Sequence, residues 1–192
     1  MPVWGWVLIA AIVVIALVVA TVFGRSALQR RKTQRLKDHF GPEYERTVRE
    51  AGEQEAAEAE LTARERERKK LDIVPLSARA GQMYAERWRM VQAAFVDNPS
   101  SAVGEAERLV TEVMRERGYP VDDFDQRAAD ISVDHPDVVE NYRGAHGIYL
   151  AQKERDIDTE EQRRAFVHYR ALFEKMIHPD PDKKNTSEEA RA

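Results

Sequence analysis

An uncharged, apolar run near the amino terminus constrains this chain more than any other feature. Between Val3 and Phe23 the sequence has 21 consecutive residues without a charged side chain. As an α-helix this run would span roughly 31 Å, because each residue adds about 1.5 Å along the axis. The hydrocarbon core of a bilayer is about 30 Å thick, so the run has the length of one transmembrane helix. We therefore predict a membrane anchor at residues 1–24.

The residues on either side of the apolar run predict its orientation. Trp4 and Trp6 lie at its start, where aromatic side chains favour the membrane interface. No Lys or Arg precedes the run, whereas a basic segment follows it at residues 25–43. Because positive residues stay on the cytoplasmic side, we expect an inner-membrane protein with its amino terminus outside and the remainder in the cytoplasm. The basic residues expected to face anionic lipid are Arg25, Arg30, Arg31, Lys32, Arg35 and Lys37.

A cleaved secretory signal is the main alternative to an anchor. Such a signal begins with basic residues and has a shorter apolar core, and this run shows neither property. A core helix of a water-soluble protein would need a polar face, which the run also lacks. The anchor is therefore the favoured interpretation.

The charge balance along the chain limits the classes of partner. The net charge of −4 hides an asymmetry: residues 24–40 carry +5, residues 41–70 carry −2 and residues 71–192 carry −7. An acidic folded region does not favour nucleic-acid binding, because neutralising phosphates requires a basic surface. The chain has no cysteine, which excludes disulfides, thiolate catalysis and cysteine-ligated metal centres.

A charged segment at residues 44–70 follows the break at Gly41-Pro42. It is dominated by Glu, Arg, Ala and Gln, which favour helices, and pairs such as Glu60 with Arg64 have the stabilising i,i+4 order. It lacks the continuous apolar stripe that a coiled coil requires. We predict a solvated helical stalk, with weak self-association of two copies through it as the alternative.

Repeated amphipathic segments at residues 71–177 predict a helical bundle. Apolar residues recur at spacings of three and four in four or five segments, and no segment alternates as a strand would. Ser77 and Asn98 are predicted N-caps, and Gly118 is a predicted helix end. The predicted fold class is therefore all-α: a single transmembrane helix, a charged helical stalk and a four- to five-helix bundle. Residues 178–192 are polar and predicted to be a disordered tail.

The sequence contains no recognisable motif for catalysis, cofactor binding or metal binding. The five histidines lack metal-ligand spacing, and the acidic stretch from Asp122 to Asp137 lacks the Gly and closing Glu of a calcium-binding loop. Serine residues lack the context of a catalytic nucleophile, and there is no glycine-rich phosphate-binding loop. We therefore expect no metal, no cofactor and no enzymatic activity.

Two glycines inside a predicted helix point to one candidate pocket. Gly144 and Gly147 should each cost about 1 kcal/mol relative to alanine. A close helix crossing or a ligand near the backbone would compensate for this cost. Three neighbouring side chains make this the first place to expect a pocket: Tyr142, His146 and Tyr149.

The stretch from Arg108 to Pro120, continued from Asp123 to Asp130, carries a family resemblance. It resembles a family of uncharacterised bacterial proteins that is common in actinobacteria and often labelled hypothetical or secreted. The similarity extends over about residues 40–176. No activity, cofactor or functional residue is assigned to that family, so the resemblance gives no expectation about the chemistry of this chain.

These features together predict a single-pass, membrane-anchored helical module that binds a protein partner on the cytoplasmic face. The alternative is a sensor that binds a ligand or metal in the bundle interior near Tyr142, His146 and Tyr149. A hydrolase or transferase whose residues converge only in the fold is the third hypothesis.

Overall fold

A computed structural model of the chain describes residues 28–178. Within this range every regular element is an α-helix, so the predicted all-α class is confirmed. The helices are α1 (28–40), α2 (Pro42–Ala51), α3 (Gln54–Arg68), α4 (Ala78–Ala94), α5 (Pro99–Arg117), α6 (Phe124–Asp134), α7 (Val139–Glu154) and α8 (Thr159–Ile177).

Local capping chemistry sets several helix ends where the sequence predicts them. The side chain of Ser77 accepts a hydrogen bond from the amide of Ala80 at the start of α4. Asn98 does the same for the amide of Ser101, with proline following as the first residue of α5. Gly118 ends α5 with a φ of +96°, a left-handed conformation that favours glycine.

Acidic residues cap two further helices. The side chain of Asp123 accepts a hydrogen bond from the amide of Gln126 at the start of α6, and Asp158 accepts one from the amide of Glu161 at the start of α8. Helix α7 begins at Val139 without a side-chain cap, after α6 has continued to Asp134.

Helices α4 to α8 form the predicted helical bundle, in which α8 packs against both α5 and α7. Its apolar core contains fully buried residues from every one of these helices except α4, among them Val110, Ile131 and Leu172. Helix α4 joins the core through Trp88, whose ring stacks 5.0 Å from Phe166 and 4.6 Å from Phe173. Each such buried side chain contributes about 1.5–3 kcal/mol to stability through the hydrophobic effect.

Helices α1 to α3, which we call the N-terminal layer, replace the predicted stalk. Gly52 ends α2 with a φ of +74°, and α3 turns back against α2. The layer has its own apolar cluster, formed by Leu36, Phe40, Tyr44 and Leu61. The prediction of a solvated spacer is therefore wrong, because α1 supplies apolar side chains that cover the sparse ones of α2 and α3. The predicted self-association through this segment stays a prediction.

The predicted membrane location is corrected by the structure. No helix among residues 28–178 has the length and apolar character needed to cross a bilayer. The predicted anchor, including Val3, Trp4, Trp6 and Phe23, lies outside the described residues, as do Arg25 and residues 179–192 of the predicted tail. We withdraw the inner-membrane assignment on this finding.

The remaining basic residues predicted to face lipid lie on α1. Arg35 forms an ion pair with Glu65 of α3 at 2.8 Å, and Lys37 lies 3.8 Å from Glu45 of α2. These contacts bind α1 to the rest of the N-terminal layer. The other members of the predicted set are Arg30, Arg31 and Lys32, whose side chains are exposed or half-buried.

Candidate functional site

Glu107 on α5 is a carboxylate in the interior of the bundle. It is 6% exposed and belongs to the same helix as the core residues Val103, Val110 and Met114. Removing an ionised carboxylate from water is costly unless other groups compensate for the lost hydration. The surroundings of Glu107 therefore decide what this position does.

Two cationic or potentially cationic side chains approach one oxygen of Glu107. His146 Nδ1 on α7 lies 3.3 Å from Glu107 Oε1, and Arg127 Nη2 on α6 lies 3.7 Å from the same oxygen. Arg127 is itself 7% exposed and donates a hydrogen bond to Thr111 Oγ1 at 3.1 Å. Three helices thus each supply one charged or titratable group to a single point.

Two buried tyrosines complete this group of residues. Tyr142 of α7 and Tyr169 of α8 are both 0% exposed, with ring centroids 6.4 Å apart. Burial, followed by the charge of Glu107, raises the pKa of each hydroxyl well above its ordinary value of 10.0. Both hydroxyls therefore keep their protons at neutral pH and are available as hydrogen-bond donors. We call Glu107, Arg127, Tyr142, His146 and Tyr169 the Glu107 cluster.

Every member of the Glu107 cluster has a buried polar atom without a well-formed hydrogen bond to protein. The contact of His146 with Glu107 has a hydrogen-bond distance but poor alignment, and the contact of Arg127 with Glu107, at 3.7 Å, is too long for a hydrogen bond. The atoms concerned are Glu107 Oε2, Arg127 Nε, Tyr142 Oη, His146 Nδ1 and Tyr169 Oη. Leaving one such group unsatisfied costs about 1–3 kcal/mol. Tyr169 and Glu107 partly satisfy each other, since a hydrogen bond between them also raises the pKa of Tyr169. The group still carries a large cost for a bundle that could have used apolar residues at these positions.

Aromatic rings enclose one side of the Glu107 cluster. The ring of Phe124 stacks on His146 with centroids 3.7 Å apart and planes 9° apart, and it also lies 5.0 Å from Tyr142. Tyr149 lies at the edge of the cluster, with its ring 5.9 Å from His146. This wall lowers the local dielectric and strengthens electrostatic interactions inside the cluster.

The structure brings two of the three predicted pocket residues into the Glu107 cluster. Tyr142 and His146 are members, and Tyr149 flanks them. The two neighbouring glycines are not required by a close approach: a Cβ on Gly144 would meet His168 at an ordinary 3.8 Å, and one on Gly147 would meet nothing within 4 Å. The structure therefore shows no close helix crossing at these glycines, and the pocket near them stays a prediction.

Sequence reasoning did not identify Glu107, Arg127 or Tyr169 as site residues. One signal for Glu107 was present, since it lies four residues after Val103, on the face of α5 predicted to be apolar. A charged residue on a buried face requires a partner, but the sequence does not show that Arg127 and His146 provide it.

The donor set of the Glu107 cluster does not suit a metal ion. One carboxylate and one imidazole are present, but the guanidinium of Arg127 lies beside them and would repel a cation. Across residues 28–178, no group of three or more His, Cys, Asp or Glu side chains could hold a metal ion.

Comparisons with known proteins add no constraint on this site. No protein-family model, curated protein or solved structure matches the chain. The resemblance to a bacterial family over residues 40–176 therefore stays a prediction.

Proposed function

We propose that this chain is a helical sensor module that binds a small polar molecule at the Glu107 cluster. One observation carries the proposal: five buried polar atoms from four helices converge and lack well-formed hydrogen bonds to protein. Buried polar groups in folded proteins are almost always satisfied, by protein, by water or by a ligand. A preformed set of donors and acceptors held by rigid helices is the arrangement that ligand binding requires.

The chemistry of the cluster indicates the kind of molecule it accepts. Glu107 Oε2 accepts a hydrogen bond, whereas Arg127 Nε and the hydroxyls of Tyr142 and Tyr169 donate them. The carboxylate and the guanidinium balance each other, so the cluster favours a ligand without net charge. The complementary ligand is a small neutral molecule that has both donor and acceptor groups, such as an amide, a urea or a short polyol.

A thermal-shift screen of the full chain against small neutral amides, ureas and polyols tests this proposal. A binding compound present at about 100 times its Kd stabilises the fold by about 2.7 kcal/mol, which raises the Tm by several degrees. We expect Glu107→Gln to abolish this shift, because the amide cannot supply the same two acceptors. The proposal fails if no compound in the screen stabilises the folded wild-type chain.

Tyrosine variants give the screen a matched control. Tyr142→Phe and Tyr169→Phe each remove one hydroxyl of the cluster, and we expect each to weaken binding about 5- to 10-fold, corresponding to one hydrogen bond. Tyr84→Phe removes a hydroxyl that donates to Glu116 at 2.7 Å, outside the cluster. It should leave the affinity unchanged.

Protein binding, the role first predicted from the sequence, is the second candidate function. The observation that favours it is the outer face of α4, where Met83 is 45% exposed and Met90 is 64% exposed. Val96, just beyond the helix, is 83% exposed. Methionine side chains are flexible and are used at binding surfaces that adapt to their partners.

Crosslinking in cells distinguishes this second candidate from the first. If α4 binds a protein, Met90→Glu should remove a reproducible crosslinked partner, because a charge would enter an apolar contact. Leu150→Glu on α7, where the side chain is exposed to the same extent as that of Met83, is the control and should retain the partner. Equal crosslinking in both variants would count against α4 as the docking surface.

A further inference from the structure

The contact between the N-terminal layer and the bundle is thin and mainly polar. Among the described residues, Val133 of α6 is the one bundle residue that joins the buried apolar cluster of the layer. A cleft of about 400 Å³ opens along the same boundary, between Arg35 and Lys69 of the N-terminal side and Asp134 of α6. Interfaces of this kind within a chain allow one part to move relative to the other.

Glu43 of α2 is the centre of the polar contact. Its side chain is 1% exposed, and Arg143 of α7 binds it through two parallel hydrogen bonds of 2.7 and 2.8 Å. Arg64 of α3 donates a third, at 2.7 Å. Burial opposes ionisation of Glu43, but these arginines outweigh it and hold the pKa of the carboxyl below its ordinary value. Glu43 therefore joins two helices of the layer to the bundle.

Two further ion pairs cross the same boundary. Arg68 Nε of α3 lies 2.5 Å from Asp134 Oδ2 of α6, an oxygen that Tyr119 on the bundle side also binds at 2.6 Å. Arg46 of α2 lies 3.6 Å from Glu140 of α7. On the bundle side, these ion pairs end on α6 and α7.

The helices that hold the layer also build the Glu107 cluster. Helix α6 supplies Arg127 to the cluster and Asp134 to the layer. Helix α7 supplies Tyr142 to the cluster and the adjacent Arg143 to Glu43. Since neighbouring residues of a helix move together, a small rotation or shift of α7 changes both sites at once.

We infer that the N-terminal layer docks reversibly on α6 and α7, and that the ion pairs of Glu43, which we call the latch, hold the docked state. We also infer that the state of the Glu107 cluster sets the docking equilibrium. The second part rests on the proposed sensor function and names its output. A ligand that draws Tyr142 and Arg127 together repositions Arg143 and Asp134, which shifts the docking equilibrium.

Amide hydrogen exchange on the full chain, followed by mass spectrometry, tests the latch. Glu43→Gln should raise exchange over residues 42–68 at least 10-fold while α5 and α8 keep their protection, because only the layer opens. The matched control is Glu112→Gln, which removes a partner of Arg87 at a surface pair on α4 and α5. A uniform rise across layer and bundle, or no rise, overturns reversible docking. If Glu43→Gln does not fold, Arg143→Lys, which keeps the charge but loses the paired hydrogen bonds, is measured in the same way.

A second exchange experiment tests the coupling. Glu107→Gln alters the cluster without touching the layer, and we expect it to change exchange over residues 42–68 by at least 3-fold. Trp88→Phe on α4 perturbs the same bundle core from a helix that packs against α5 and α8, and it serves as the control. If both variants alter the layer equally, or neither does, the coupling is wrong. Because this experiment uses no ligand, its failure is distinguishable from a negative compound screen.

Discussion

Two buried glutamates in this molecule have opposite surroundings. Both oxygens of Glu43 accept hydrogen bonds from arginine side chains. Glu107 is almost as deeply buried, yet its contact with Arg127 is too long for a hydrogen bond, its contact with His146 is poorly aligned, and its second oxygen accepts no well-formed hydrogen bond. A fully satisfied carboxylate stabilises the position of its helix, whereas an unsatisfied one leaves bonding capacity for another molecule.

Glu58 in the N-terminal layer extends this comparison. It is 0% exposed and accepts hydrogen bonds from Gln54, Thr33 and Tyr44 at 2.8, 2.7 and 3.1 Å. Burial opposes its ionisation, but these neutral donors outweigh it and keep the pKa of Glu58 below its ordinary value. The layer therefore satisfies its buried carboxylates completely, and the bundle interior does not.

The largest expected effect comes from removing the satisfied carboxylate at Glu43. Glu43→Ala removes the buried carboxylate that Arg64 and Arg143 share, while Glu60 and Glu140 stay near them. We expect it to destabilise the docked layer by about 3 kcal/mol, the lower end of the range for breaking a buried ion pair. Native-state hydrogen exchange of α2 and α3 measures this loss. A loss of stability below about 1 kcal/mol would show that the ion pairs of Glu43 are no stronger than ordinary surface ion pairs. Glu43 and Glu107 would then not differ in their contribution to stability.

The reverse result is expected where the carboxylate is unsatisfied. Replacing Glu107 and Arg127 together by methionine removes two buried charges and two of the unpartnered atoms. We expect the double variant to gain about 1–3 kcal/mol in free energy of unfolding, as happens when a buried ion pair gives way to apolar packing. Urea denaturation followed by circular dichroism measures the gain. A net loss of stability would show that the cluster supports the fold and is not reserved for a ligand.

Lowering the pH should affect the N-terminal layer, which depends on Glu43, before it affects the bundle that contains Glu107. The pKa of Glu43 is lower in the folded chain than its ordinary value of 4.5, so its contribution to stability is present above that value and is lost as the pH falls through the folded pKa. We expect the N-terminal layer to undock progressively below pH 4.5, before the bundle unfolds. In the Glu43→Gln variant, amide hydrogen exchange in α2 and α3 should lack this pH dependence, because glutamine does not titrate. Simultaneous acid unfolding of layer and bundle in the wild type would contradict this expectation.

The sequence predicted those parts of the fold that depend on local chemistry. Ser77, Asn98 and Gly118 mark helix ends because capping involves residues within one turn. The packing of the N-terminal layer could not be predicted in this way, since Leu61 becomes buried only when Leu36 of α1 covers it. Only two of the five residues of the Glu107 cluster could be predicted, for the same reason. Neighbouring residues on α7 pointed to Tyr142 and His146, but the groups that meet them come from three other helices.

The smallest expected effect concerns His168 of α8, which lies beside Gly144 of α7 near the cluster. Burial, and then the charge of Arg164, lowers the pKa of this imidazole below its ordinary value of 6.5. A base whose folded pKa is lowered binds its proton more weakly in the folded state, so stability falls as the pH drops from 6.5 towards the folded pKa. We expect a modest decrease in Tm across this range, because the side chain is partly exposed, and a flatter profile in His168→Gln. Glu43 stays ionised throughout this pH range. A decrease in Tm that occurs in the wild-type chain but not in His168→Gln would therefore assign the near-neutral pH dependence to the α7–α8 contact. The pH dependence below 4.5 would then belong to Glu43.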